Sequence, residues 1–293
     1  MATLIQPLRP KQWVKNFIVF AALIFSGEFV FFHRYPPVLL TFAAFCMISS
    51  AGYILNDLLD LKSDRQHPVK KNRALAAGII SVPAAAALSL VLAGTGIAAC
   101  FAINAATGLA AAGYAAVTIA YSVTLKHIVL VDVLTIAGGF VLRAIAGACA
   151  ISVPISPWLV VCTVLLSLFL GLHKRRHELE LLGEAATEHR RNLAHYSVRT
   201  IDVLCRLVTV ATIVTYTIYT VHQRTIRVIG TPYLLITVPL VAYGLLRYAH
   251  LATRKNDGGD PSSVLLKDRP LLVTVALWTL LVCLIVLHGH TQA

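Results

Sequence analysis

Apolar residues in this chain gather into one continuous succession of runs, several of which approach or exceed the ~20 residues that an α-helix needs to cross a bilayer core. Length, Pro and Gly punctuation and charge-poor stretches predict nine spans: 16–32, 37–56, 79–101, 104–121, 129–150, 156–173, 201–221, 231–250 and 270–288. Pro36 with Pro37, Pro83, Pro154 with Pro157, Pro232 and Pro270 fall near the starts of spans, where a missing backbone donor does little harm. The expected fold class is therefore all-α, a polytopic membrane protein. Nothing resembling a separate soluble half interrupts it, so residues 1–293 form a single transmembrane domain.

Composition agrees with the pattern. The 293 residues are 58% hydrophobic and 13% charged, with a mean hydropathy of +0.77, whereas soluble domains are about a quarter charged. The net charge of +12 suits topology-setting loops and anionic lipids or substrates better than nucleic acid, which is not an expected partner. Six cysteines, Cys46, Cys100, Cys149, Cys162, Cys205 and Cys283, all lie in apolar runs without zinc-like spacing and read as small core residues. The eleven His include no HExxH or close triad, which disfavours a zinc hydrolase. The amino terminus, MATLIQPLRPKQWVKN, lacks the pattern of a removable signal peptide, so the first span is expected to stay.

Charge also orients the chain. Alternate faces of the nine-span layout carry nineteen Lys and Arg against three (Arg34, Arg224 and Arg227), so the richer face is expected in the cytoplasm, with the amino terminus inside and the carboxyl terminus outside. Cytoplasmic loops then fall at about 57–78, 122–128, 174–200 and 251–269.

Candidate chemistry concentrates on that side. At the end of the second span the chain reads NDLLDLKSDRQHPVKKNRALAAG, residues 56–78. In a continuing helix Asn56, Asp60 and Asp64 stack at four-residue spacing, with Asp57 within roughly 100° of Asn56, while Lys62 and Arg65 point away. Oxygen-bearing groups in this pattern suit Mg²⁺, which shares its coordination with substrate phosphates, and Lys70, Lys71 and Arg73 follow as partners for a diphosphate. The plainer alternative is an acidic, water-exposed helix end.

Further polar positions interrupt apolar stretches. Lys126, Asp132 and Arg143 are ionisable residues at membrane depth, for which function or a salt bridge to another span are the two readings. Asp132 and Arg143 are about 16 Å apart along one helix and do not pair with each other. Lys174, Arg175 and Arg176 at the membrane edge serve either as a topology anchor or as an anion site, with Glu178 orienting an Arg or contacting a ribose hydroxyl. Glu180, Glu184 and Glu188 read as decoration of a solvated amphipathic helix. Lys15 and Asn16 are expected at the cytoplasmic mouth of the first span, near Trp13 in the aromatic interface belt.

The NDxxDxxxD pattern, the following HPxKxxR, the YSxxLK segment at 121–126 and the apparent spans together resemble the UbiA superfamily of intramembrane prenyltransferases over almost the whole chain. The resemblance implies a UbiA-like bundle around a central cavity and an acidic motif binding Mg²⁺ and a diphosphate; carried over, the metal residues are Asn56, Asp60 and Asp64, with Asp57 nearby. Members that prenylate aromatic acceptors carry a second DxxxD after the sixth span, where this chain has KRRHEL. RPKQWVKN, LKxxxxxDVxxxAxGFVLRxxAG and KRRxEL instead resemble the decaprenyl-phosphate phosphoribosyltransferase branch, implying phosphoribosyl pyrophosphate as donor and a polyprenyl phosphate as acceptor in making a precursor of cell-wall arabinan. On that resemblance Asp57, Asp60 and Asp64 are catalytic. Lys15, Asn16, Asn56, Lys70, Arg73, Tyr121, Lys126, Asp132, Arg143, Lys174, Arg175, Arg176 and Glu178 contact substrate. Two rival classes stand beside it: an aromatic prenyltransferase, and a lipid or ion transporter using the acids as a translocation site.

Overall fold

Proline and short polar side chains mark where the helices begin. In the computed structural model, which describes residues 5–128, 130–182, 198–254 and 261–292, Ser81 caps the helix opening at Val82 by accepting from the Ala84 N–H, with Pro83 in its first turn. Asn104, in extended conformation, ends one helix and caps the next through Thr107 N at 2.8 Å. The α-helices are α1 (Ala21–Phe25), α2 (Tyr35–Leu59), α3 (Leu61–Gln66), α4 (Val82–Ile103), α5 (Ala105–Val123), α6 (Val131–Ala150), α7 (Pro157–Leu182), α8 (Val198–Val221), α9 (Gln223–Ile229), α10 (Val238–Arg254), α11 (Pro261–Lys267) and α12 (Arg269–Gln292). No strand occurs among the described residues.

Eight helical segments among the described residues are long and apolar enough to cross a membrane, from Phe32–Leu59 to Arg269–Thr291. The chain is a multi-pass membrane protein. The first expected span, 16–32, differs: it is replaced by a 3₁₀-helix over Pro10–Phe20, the short α1, and a break at Gly27. Gly27 has φ +76°, and a Cβ there would lie 1.8 Å from His290 Nε2. The 3₁₀ segment runs antiparallel to α2, with Trp13 donating to Ser50 Oγ and the Phe20 ring packed at a tilt against Phe42. At about 2 Å rise per residue, against 1.5 Å for α, such a segment covers more depth with fewer residues.

The chain divides into two compact units. One comprises residues 1–20, 35–126 and 138–154. Its core joins Phe45 and Ile48 of α2 to Cys100 of α4, Ala111 and Tyr114 of α5, and Ala146 of α6. Close approach is possible because Gly147 presents no side chain to the Val19 carbonyl, 2.0 Å from where a Cβ would sit. The other unit comprises 21–34, 127–137 and 155–293, and centres on Phe169, Tyr248, Leu251 and Leu271. Cys46, Cys100 and Cys205 are buried and all six cysteines are free thiols, as their apolar surroundings suggested. Of the expected loop 174–200, residues up to Leu182 continue α7, while 183–197, with Glu184 and Glu188, lie outside the described residues.

Candidate active site

Asp60 stands at the junction of α2 and α3, with φ −91° and ψ 6°. Helical backbone bonds nevertheless continue through it, Asp60 N to Asn56 O at 2.9 Å and Asp64 N to Asp60 O at 2.8 Å. Phase is therefore preserved, and it sorts the polar side chains into two pairs rather than the single stack expected from four-residue spacing. Asn56 and Asp60, one turn apart, form the first: Asn56 Nδ2 donates to Asp60 Oδ2 at 3.0 Å. Asp57 and Asp64, seven residues and nearly two turns apart, form the second, because eight residues of helix carry Asp64 roughly 80° past Asn56. Lys62 and Arg65 are exposed, as their positions on the wheel required.

The acids are compensated from elsewhere in the chain. Lys126, buried in the short 3₁₀ turn after α5, donates from Nζ to Asp60 Oδ1 at 2.7 Å and to Asn56 Oδ1 at 3.3 Å. Arg73 Nη1 reaches both Asp57 Oδ1 at 2.9 Å and Asp64 Oδ2 at 2.6 Å. Arg9, the first residue of RPKQWVKN and outside the expected site residues, donates from Nη2 to Asp57 Oδ1 at 2.5 Å. Lys70 Nζ lies 4.0 Å from Asp64 Oδ1. Charge-assisted bonds of this kind are roughly twice as strong as neutral ones. Beside Asp57, Arg9 and Arg73 opens a cavity of about 150 Å³ whose remaining wall is mainly apolar, with Ile54, Leu75 and Leu88.

Among the described residues no group of three His, Cys, Asp or Glu converges as a ready-made metal cage. The donor chemistry nonetheless fits a hard divalent cation. Asp64 is 2% exposed, and its Oδ1 is buried without a hydrogen-bond partner, while the carboxylate and amide oxygens of Asp60 and Asn56 form the neighbouring pair.

A second polar group lies deeper in the same unit. Arg143 of α6, 6% exposed, donates from Nε to Asn16 Oδ1 at 2.7 Å, from Nη1 to Gly139 O at 3.1 Å and from Nη2 to Tyr114 OH at 2.5 Å. Its guanidinium also lies over the Tyr114 ring, 4.3 Å from the centroid. Asn16, expected at a mouth, is wholly buried and also donates to Ser49 Oγ. Tyr121 and Lys15 are half-buried.

The remaining candidates belong to the other unit. Asp132 and Arg175, both closed to solvent, approach to 2.9 Å between Oδ2 and Nε. Arg175 also contacts Glu178, and Lys174 Nζ is 4.0 Å from Glu178 Oε1. Asp132 thus has its partner on another span. Arg176 bonds Asp202 Oδ1 at 2.5 Å and Glu180 Oε2 at 2.7 Å. Asp202, missed in the sequence, is an acid near the start of an apolar run facing the basic triplet, which is the signal that marks it.

Three acids at one end of α2 in a multi-pass membrane protein, clasped by cations from distant segments, suit a phosphate-bearing ligand. Residues 16–267 match the UbiA prenyltransferase family, and the chain belongs to it. It is 30% identical to the decaprenyl-phosphate phosphoribosyltransferase of Corynebacterium glutamicum over 279 residues, covering 94% of this chain and 84% of that protein. The enzyme of the same name from Mycolicibacterium smegmatis is also 30% identical, over 94% of this chain and 89% of its own length. A UbiA homolog from Archaeoglobus fulgidus, solved bound to GPP and Mg²⁺, superposes with a TM-score of 0.71 at 18% identity, covering 99% and 98% of the two chains.

Proposed function

We propose that the protein transfers 5-phosphoribose from phosphoribosyl pyrophosphate to a polyprenyl phosphate, decaprenyl phosphate by the names of its relatives, releasing diphosphate and supplying a precursor of cell-wall arabinan. The observation that carries this reading is the cation-clasped acid cluster of Asp57, Asp60, Asp64, Arg9, Arg73 and Lys126. Two relatives, each 30% identical over 94% of the chain, support phosphoribosyl transfer among the diphosphate chemistries it suits.

Mg²⁺ would be held by Asn56, Asp60 and Asp64, and its chemistry there is to neutralise the departing diphosphate. Lys126, Arg73 and Lys70 then turn from the carboxylates to the diphosphate oxygens. The C1–O bond to diphosphate breaks with its electron pair leaving on that oxygen, and a phosphate oxygen of the lipid forms the new bond to C1. That oxygen is ionised near neutral pH, so no general base is required. Asp57 stays with Arg9 and shapes the cluster. Arg143, with neutral partners at its three nitrogens, is a candidate cation for the acceptor phosphate. The Lys and Arg excess supports a cytoplasmic position for this face, with the amino terminus inside and the carboxyl terminus outside.

Membranes containing the protein, incubated with ribose-labelled phosphoribosyl pyrophosphate, Mg²⁺ and a polyprenyl phosphate, are expected to carry label into the lipid extract. A family of prenyltransferases and a structural neighbour that holds GPP favour one rival, transfer of a polyprenyl group to an aromatic acceptor. Label remaining wholly in the water phase, with prenylation of an aromatic acid instead, would overturn the phosphoribosyl reading.

A further inference from the structure

Arg9 occupies a conformation that side chains other than glycine rarely adopt, with φ 50° and ψ 59°. The surrounding bonds show what holds it. The segment before the first span is strapped across the acid-bearing end of α2: Ser50 Oγ donates to Leu8 O at 2.8 Å, Trp13 Nε1 donates to Ser50 Oγ at 3.1 Å, and Gln6 Nε2 reaches Asn72 O at 3.4 Å. The Arg9 guanidinium lies 4.9 Å from the centroid of the Tyr53 ring, on the helix face one turn before Asp57. Backbone strain at a residue fixed on both sides and from below signals a side chain held for a purpose.

Charge counting gives that purpose. Asp57 and Asp64 are both buried, and Arg73 Nη1 alone serves a carboxylate oxygen of each. Arg9 supplies the second cation, on the same oxygen of Asp57 that Arg73 uses. Two buried acids then have two guanidiniums, and Lys70 Nζ stands 4.0 Å from Asp64 Oδ1 as a more exposed third cation. Without Arg9, one guanidinium faces two buried carboxylates, and Asp57 competes with Asp64 for it. We propose that Arg9 is a positioning residue: by satisfying Asp57 it leaves Arg73 to grip Asp64 through Oδ2, so that Asp64 Oδ1 is presented in a fixed place to a divalent ion. Residues behind metal ligands act in this way, and their loss costs about tenfold to a hundredfold in metal affinity. This rests on the metal-dependent reading above and extends it to a residue of the amino-terminal strap.

The test uses the full chain in lipid nanodiscs and Mn²⁺ alone as the probe, followed by electron paramagnetic resonance without substrate. Arg9→Ala is expected to weaken Mn²⁺ binding about tenfold or more, and Arg9→Lys to recover most of the loss. The double variant Arg9→Ala with Asp57→Asn is expected to match Asp57→Asn alone rather than multiply the two defects. In turnover, Arg9→Ala raises the metal concentration for half-maximal rate and leaves kcat within about threefold, a split that general unfolding does not produce. Binding by Arg9→Ala as tight as or tighter than in the unaltered protein overturns the assignment, as does Arg9→Lys failing as badly as Arg9→Ala. Absence of Mn²⁺ binding in the unaltered protein overturns the metal reading itself, and this inference with it.

Discussion

Lys126 Nζ lies 2.7 Å from Asp60 Oδ1, although 66 residues separate them in the chain. Asp60 retains partial exposure while the lysine side chain is nearly closed to solvent, so the ammonium is the member of the pair that the fold commits. Lys126→Met is expected to lower turnover on the order of a hundredfold, the usual effect of deleting one preorganised donor to a charged leaving group. Its thermal midpoint in detergent should change little, because Asp60 keeps water and Asn56. Steady-state assays beside a melting curve check both halves.

Asp60→Ala and Asp64→Ala are each expected to abolish Mg²⁺-dependent turnover while leaving membrane insertion intact. Carbonate-resistant membrane association and label incorporation into lipid measure the two. Full activity in either variant would remove its residue from the metal set.

The Asp132–Arg175 pair is of a different kind, since both side chains are closed to solvent. Asp132→Ala leaves a buried guanidinium with less compensation, and about 3–5 kcal/mol of stability should be lost. Asp132→Leu combined with Arg175→Met, which removes both charges, should recover much of it. Thermal unfolding of the detergent-purified variants reads the difference, and equal losses in single and double variants would contradict the pairing.

Gly147 and Gly139 lie two turns apart on α6 and predict opposite outcomes. An alanine at 147 would bring Cβ to 2.0 Å from the Val19 carbonyl, whereas at 139 the nearest heavy atom is 3.5 Å away. Gly147→Ala is expected to cost about 1–3 kcal/mol or more through backbone displacement, and Gly139→Ala to be near neutral or slightly stabilising. The two melting temperatures, measured side by side, decide it.

What the sequence made legible was local. Runs of apolar residues gave the helices, and the short-range spacing from Asn56 to Asp64 gave the acid cluster, because both depend on neighbours along one helix. The break in the first expected span was hidden: hydropathy records how long an apolar run is, not how far each residue rises, so 3₁₀ and α traces look alike. Hidden too was which cation meets which acid. Arg9 is 48 residues from Asp57, Arg176 is 26 from Asp202, and Asn16 is 127 from Arg143. Such distances are closed by packing, which spacing along one element does not encode. Asn16 was placed at a helix mouth because a polar residue beside Lys15 suits an interface, yet its amide serves a buried arginine.

One nitrogen of Arg73 serves two carboxylates. A ligand that draws this guanidinium aside frees Asp64 Oδ2, while Asp57 Oδ1 keeps its bond to Arg9. The negative field at this end of α2 therefore rises mainly at Asp64 when an anionic group takes Arg73, because Arg9 remains on Asp57, and the arrival of a phosphate-bearing ligand frees a second oxygen on the acid whose Oδ1 is already unbonded.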